Sequence, residues 1–244
     1  MRLSNSLTLK TRVSSAFSIG GLSSLVHWFP FNTDQDLNGS NVSAWDDKGS
    51  ADNDLVQTDA SRQPPKNVGE LDFSGATTQL LFESDVSLES FTICFALKAG
   101  SNNAETILGH LSVGSTVLRL GQGGNAKKIR IQYTDSSTFL HDITASTDYP
   151  TPGTEYVLTI TRDTTGAFST NNQVKTFVNT TEKTSTTFTG AGTSNFIFNK
   201  VGSHGAQSNP FDGSIHEIVI FNEALSTSDL NNVVNDIKTR NGIS

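Results

Sequence analysis

Carboxylates are the first residues to weigh for chemistry. In GELDFSG (69–75), Glu70 and Asp72 stand two positions apart, so a strand would point both to one face. Glycoside hydrolysis needs two carboxyl groups about 5–10 Å apart across a sugar. The loop DDKGSADND (46–54) gathers Asp46, Asp47, Asp52 and Asp54. Such oxygens are what calcium takes, although their spacing matches no known calcium loop, and a solvated turn is the alternative. Asp46 and Asp47 are candidate ligand-binding residues, with Ca2+ the one cofactor this loop suggests and none required. Glu217 sits inside an apolar run in FDGSIHEIVIFNEALS (211–226). Alternation puts it on one face with Ile215, Val219 and Phe221, where an unpaired buried charge would be costly. It is therefore expected to accept hydrogen bonds from a neighbouring loop, a structural role. The five histidines show no metal-ligand spacing, and the single cysteine, Cys94, rules out an internal disulfide and a zinc ribbon. No G-x-S-x-G nucleophile elbow occurs. Among aromatic residues that stack on sugars, Tyr149, beside Pro150 in STDYPTPGTEY, is the best-placed loop candidate, whereas Trp28 and Trp45 lie in strand-like runs and read as core.

The elements that must position these groups are short and extended. The apolar fraction is 34% and the charged fraction 17%, with 20 glycines; Thr suits pleated strands, and Asn and Gly suit bends. In KKIRIQY, Ile129, Ile131 and Tyr133 share a face, and in EYVLTITR, Tyr156, Leu158 and Ile160 do. About a dozen such runs, punctuated by Gly, Asn, Asp and Pro, predict an all-β antiparallel sandwich or jelly roll. The end departs from this: Leu230, Val233, Val234 and Ile237 mark one helical face. Ser226 is the predicted N-cap, Lys238 and Arg240 suit the C-terminal dipole, and Gly242 supplies the stop. A net charge of −7 and a pI near 5.1 argue against nucleic acid or anionic membrane as partners. No apolar run approaches the roughly 18 residues of a membrane span.

Several segments together resemble a known family. FDGSIHEIVIFNEALS followed by a helix is similar to the closing segment of laminin-G-like and concanavalin-A-like jelly-roll domains, through Phe211, Gly213, Ile215, Glu217, Phe221, Asn222, Ala224, Leu225 and Ser226. LVHWFPFNTD looks like the opening strand, VSAWDDKGSADNDLVQ like the W-x-D-x-S-G-N stretch, LDFSG like the F-x-G strand, and KTFVNTTEK like the strand carrying a Y-V-N-G turn. Gly49 precedes Ser50 instead of following it, and Thr180 replaces the turn glycine. The resemblance implies two curved antiparallel sheets of six or seven strands, one short C-terminal helix, and structural roles for Trp45, Gly213, Glu217 and Leu230. Hydrolases on this fold often carry E-x-D-x-E on one strand; here Ser74 takes the third place, which removes the general acid/base and argues against an enzyme.

Two functional readings follow, with a glycoside hydrolase third. The first in preference is a non-catalytic decoration or fibre-type protein of a virus (phage) particle that carries a lectin-like domain for host-surface glycans. The alternative is a secreted or cell-surface carbohydrate-binding or adhesion module. The virion reading rests on a chain that opens at Met1 without the apolar h-region of a signal peptide, in a fold that ordinarily works outside cells. Residues 1–20 read as a polar arm docking on other virion proteins, residues 21–244 as the jelly-roll domain; self-association stays open.

Overall fold

Strand-forming runs become strands almost throughout the computed structural model of the chain. It describes residues 17–31, 35–73, 77–100, 105–111, 117–122, 125–132, 138–142, 151–166, 173–187, 194–205 and 209–244. In chain order the strands are β1 (Leu25–Pro30), β2 (Gln35–Asn38), β3 (Asn41–Trp45), β4 (Leu55–Val56), β5 (Lys66–Asn67), β6 (Glu70–Asp72), β7 (Leu80–Leu88), β8 (Phe91–Ala99) and β9 (Glu105–Gly109). They continue with β10 (Val117–Gln122), β11 (Asn125–Gln132), β12 (Thr138–Asp142), β13 (Glu155–Asp163), β14 (Gln173–Val178), β15 (Thr181–Thr187), β16 (Phe196–Val201) and β17 (Gly213–Phe221). One helix, α1 (Thr227–Asn241), follows.

Two antiparallel sheets face each other. The first runs β15-β14-β13-β8-β17-β6-β5, with β1 also paired to β17; the second runs β12-β11-β10-β9-β16-β7-β4-β3-β2. This is the jelly-roll sandwich implied by the sequence, with eight and nine strands among the described residues in place of six or seven, because short strands such as β2, β4, β5 and β6 extend both sheets. Alternation explains the core. Phe91, Ile93, Phe95, Leu97 and Ala99 of β8 face the second sheet and pack with Phe29, Trp45, Phe82 and Phe198. Cys94 and Ala96 point the other way, into a second cluster with Val219, Phe221, Leu230, Val233, Val234 and Ile237. The first sheet is thus covered on both faces, by its partner sheet and by α1, which is why β17 is buried at all nine positions.

The helix forms as its local signals dictate. Ser226 Oγ accepts from the Asp229 backbone N–H at 3.1 Å, and Gly242 closes the helix at φ 67°. Its apolar stripe is the one read from the spacing. The buried Cys94 thiol is pushed up to about 12 by desolvation, so it is inert packing material. Among the described residues no helix is long and apolar enough to cross a membrane.

The domain begins earlier than the sequence suggested. Ile19, in a 3₁₀ turn (Ile19–Gly21), is fully buried in the cluster beneath α1, with Phe17 and Leu22 packed against it. Residues 17–20, expected in the arm, therefore pack with the domain, since burying Ile19 rewards ordering of that turn; residues 1–16 lie outside the described ones.

Two glycines mark close approaches. A Cβ on Gly213 would sit 2.2 Å from the Lys98 carbonyl oxygen, and one on Gly49 would sit 2.2 Å from that of Val26. The displaced glycine of the W-x-D stretch is thus required where it stands. At the other departure, Asn179 takes the left-handed conformation (φ 54°), a role Asn tolerates, so Thr180 need not be glycine.

Candidate functional site

The acidic loop is organised from within. Asp47 is buried, and its carboxylate meets His27 Nδ1 at 2.7 Å, the Trp28 and Gly49 backbone N–H groups at 2.8 Å each, and that of Asn53 at 3.2 Å. Burial pushes its acidity one way, and the hydrogen bonds from His27, Trp28 and Gly49 more than reverse it, holding the carboxyl below its ordinary value. Asp47, a candidate ligand from sequence, is instead the knot that ties the loop to β1. Asp54 accepts from the Asp47 N–H at 2.7 Å. Asp46 is partly exposed and pairs with Lys48 at 3.4 Å. Both Asp47 oxygens and one from Asp54, three of those suggested for calcium, are taken up by these bonds. Among the described residues, the metal-type grouping of side chains lies elsewhere, at Glu70, Glu155 and His216.

Glu217 is pinned, but not by a loop. Its side chain is 1% exposed and accepts from Trp28 Nε1 at 2.7 Å, Arg240 Nη2 at 2.6 Å and Asn241 Nδ2 at 2.6 Å. Arg240 also lies over the Trp28 ring, 5.3 Å from its centroid. Burial alone would lower the Arg240 guanidinium, yet Glu217 and then Asp236 hold it above its ordinary value. Glu217 therefore staples α1 to β17 and β1. The predicted face also changes: the pairing with β8 shifts register between Ile215 and Glu217, so Ile215 joins the sandwich core while Val219 and Phe221 face the helix. A bulge of this kind adds one residue and resets alternation. Trp28 is consumed by this staple, and Trp45 is fully buried, its Nε1 donating to the Pro30 carbonyl at 3.0 Å; neither is a sugar platform. Tyr149 lies outside the described residues.

An open concavity lies where the knotted loop meets β7. A cleft of about 270 Å³ is lined by Val26 and His27 of β1, Ala51 and Asn53 of the loop, Ser84–Leu88 of β7, and Asn222 just past β17. Asn53 fixes the wall by a reciprocal pair with the Ser84 backbone, donating to its carbonyl at 3.1 Å and accepting from its N–H at 3.0 Å. Alternation fails in β7 at Glu83, Ser84 and Asp85, three exposed residues in a row, and this break turns Ser84 and Asp85 together toward solvent. Asp85, with a side chain 54% exposed, is oriented by Asn199 Nδ2 at 2.7 Å and His110 Nε2 at 3.3 Å. Asp85, Ser87 and Asn222 were not legible as site residues; the run of polar residues in FESDVSLES was the signal available.

Glu70 and Asp72 flank the core residue Leu71 on β6, as alternation predicts, and so share the outer face of the first sheet. Glu70 accepts from Lys98 Nζ at 2.8 Å. Ser74 lies outside the described residues.

Residues 74–231 match the model of the concanavalin A-like lectin/glucanase superfamily. The chain belongs to that superfamily. No curated protein matches it. Among solved structures, this superfamily member is similar to the botulinum neurotoxin serotype D ligand-binding domain in complex with N-acetylneuraminic acid, with 16% identity, a TM-score of 0.60, and coverage of 87% of this chain and 51% of that one. It is similar to domain 4 of AbnA, a GH43 extracellular arabinanase from Geobacillus stearothermophilus in complex with arabinotriose, with 18% identity, a TM-score of 0.52, and coverage of 68% and 76%. A third is Trypanosoma rangeli sialidase in complex with sialic acid, with 14% identity, a TM-score of 0.56, and coverage of 90% and 34%. The superfamily member spans about half the length of the neurotoxin domain it matches, and at such identities the shared property is the fold.

Proposed function

We propose that the protein is a non-catalytic carbohydrate-binding module that holds an uncharged saccharide in the cleft beside β7. The cleft carries this reading. It sets the hydroxyls of Ser84 and Ser87, the oriented Asp85 carboxylate and the Asn222 amide among the apolar surfaces of Val26, Val86 and Leu88. Such a mixture suits a sugar, whose hydroxyls need fixed polar partners and whose C–H faces need apolar ones. Its volume falls just under the roughly 300–1,000 Å³ of drug-sized pockets, which fits a terminal sugar residue better than a long chain. Among the described residues no Lys or Arg lines it and the chain carries −7, so an acidic sugar would be repelled. Sugar complexes among proteins of this fold support the ligand class; the local charge supports a neutral member of it.

The absence of catalysis is part of the proposal. Glu70 is tied to Lys98, Ser74 stands where a third acid would be, and among the described residues no Ser or Cys side chain hydrogen-bonds His27 to make its pair with Asp47 a triad. The test is a glycan array followed by calorimetric titration of its strongest neutral hit. Asp85→Ala should weaken binding at least tenfold, with no reducing sugar released. A preference for sialylated glycans, or unchanged binding by Asp85→Ala, would sink the reading.

A virion surface is the setting we favour for this module, with a secreted or cell-surface protein as the alternative. Supporting it is a fold completed without any disulfide, its lone thiol sealed in the core, as suits assembly in a reducing compartment. Deleting residues 2–16 should then abolish incorporation into the parent particle and leave glycan binding intact; normal incorporation would place the anchor elsewhere.

A further inference from the structure

The outer face of the first sheet carries a row of ionisable side chains that neither the cleft nor the Glu217 staple uses. Across four neighbouring strands it runs Glu155 on β13, Lys98 on β8, His216 on β17 and Glu70 on β6. The backbone accounts for it: Glu155 stands opposite Lys98, and the bulge before Glu217 brings His216 outward beside β6. The His216 side chain is 6% exposed. Its Nδ1 lies 2.8 Å from the Gly69 carbonyl oxygen. A carbonyl only accepts, so Nδ1 carries the hydrogen and Nε2 of the neutral ring presents a lone pair. That Nε2 is buried with no hydrogen-bond partner among the described residues. It faces Glu70 Oε2 at 3.8 Å and Glu155 Oε1 at 3.9 Å, too far for hydrogen bonds. A lone pair set between two carboxylate oxygens is a concentration of negative potential that a cation resolves.

We propose that Glu70, Glu155 and His216 form a binding site for a zinc-type divalent cation. Their three donor atoms lie within 4.8 Å of one another. Zinc bonds of about 2.0–2.2 Å put tetrahedral ligands ~3.3–3.5 Å apart, so modest inward rotation of the glutamates closes the site, and Glu155, 41% exposed, is free to rotate. One imidazole nitrogen with two carboxylates favours zinc over calcium, which takes oxygen ligands in greater number. The Nδ1–H to Gly69 bond fixes the tautomer and aim of the imidazole, as the outer hydrogen bond of a ligating histidine does. Lys98, whose Nζ is 2.8 Å from Glu70 Oε2 and whose side chain is 31% exposed, holds the cation's place in the metal-free protein and swings to solvent when metal enters. The bound ion would tie β13 to β6 across β8 and β17. The site shares no residue with the cleft.

The test is titration of the EDTA-treated full chain with zinc chloride by calorimetry, and with cobalt(II) by visible absorption. One equivalent of zinc should bind, cobalt should give the intense bands of a tetrahedral site, and a hundredfold excess over Kd should raise Tm by roughly 5–10 °C. The same excess of calcium should leave Tm unchanged. Glu155→Gln, at an exposed position that cannot compromise folding, should weaken zinc at least tenfold, as should His216→Gln. Lys98→Met should tighten it, because the competing ammonium is gone. Absence of saturable one-to-one uptake, wild-type affinity in Glu155→Gln, or weaker binding in Lys98→Met would each overturn the assignment.

Discussion

Replacing Glu217 by alanine should weaken the docking of the C-terminal helix on the sandwich. Three donors lose their acceptor at once: Trp28 Nε1, Arg240 Nη2 and Asn241 Nδ2, at 2.7, 2.6 and 2.6 Å. They do not count equally. Arg240 is 31% exposed and keeps its pair with Asp236, so water and that carboxylate recover much of its loss. Asn241 Nδ2 still donates to the Ile237 carbonyl at 2.9 Å. Trp28 Nε1, with no second acceptor among the described residues, is left unsatisfied at about 1–3 kcal/mol. With the discounted charge-assisted bond, the sum is about 3 kcal/mol, the lower end for breaking a buried pair. For a chain of this size that is a fall in Tm of roughly 6–12 °C. Glu217→Gln keeps one acceptor oxygen and the shape, so about 1–2 kcal/mol is expected. The assay is urea unfolding of both variants, with a double-mutant cycle against Arg240→Met and amide exchange across Thr227–Asn241. A loss below about 1 kcal/mol for the alanine variant, or strict additivity in the cycle, would refute the claim that this carboxylate staples the helix.

Other perturbations follow from the same structure. Leu230→Asp places a charge in the apolar layer beneath α1, where Leu230 is 1% exposed; a cost of about 3 kcal/mol or more is expected by denaturant titration. Asp47 is held below its ordinary value of 3.8, so its contribution is complete above that pH and is lost as pH falls through the lower folded value. Asp47→Asn should therefore be less stable than wild type at pH 7, with the gap closing in acid melts below pH 3.8. Lys200 is buried, its Nζ donating to the Gly205 carbonyl at 2.9 Å, and desolvation, with help from Arg62, lowers it from 10.5 to about 8. Between those values the unfolded chain binds the extra proton, so this group adds stability as pH rises from 8 to 10.5; Lys200→Met should flatten that rise and be the more stable form at pH 7. Deleting residues 2–16 should leave domain stability within about 1 kcal/mol, whereas deletion through residue 20 also removes buried Ile19 and should cost at least about 2 kcal/mol more.

What the sequence disclosed was whatever local pattern determines. The α1 cap, stripe and stop needed only neighbours three or four residues away, and all were readable. Gly213 and Trp45 were identified as structural through the family resemblance, and both are fixed by close packing. Glu217 was readable as a satisfied carboxylate because desolvation demands partners, but its partners were not. They depend on a bulge set by pairing with β8, which alternation within one strand cannot reveal. Asp47 looked like a ligand because exposure was invisible: only the fold brings His27 and the Trp28 amide to its carboxylate. The cleft was illegible for the same reason, since Val26, Ala51, Asp85 and Asn222 come from four separate stretches of chain.

The pairing of β1 with β17 also bears on how such a fold can be built into something larger. The first described segment and the last belong to one place: Leu25 stands opposite Phe221, and Ile19 and Ile243 are both buried in the cluster beneath the helix. The first and last described segments therefore share a single doorway. A unit of this kind can be spliced into a surface loop of an unrelated protein without stretching its host, since the host's two cut ends need not separate. The same adjacency permits circular permutation: joining the old ends by a short linker and opening the chain at the Asn179–Thr180 turn would preserve every strand pairing while moving the attachment point to another edge of the molecule.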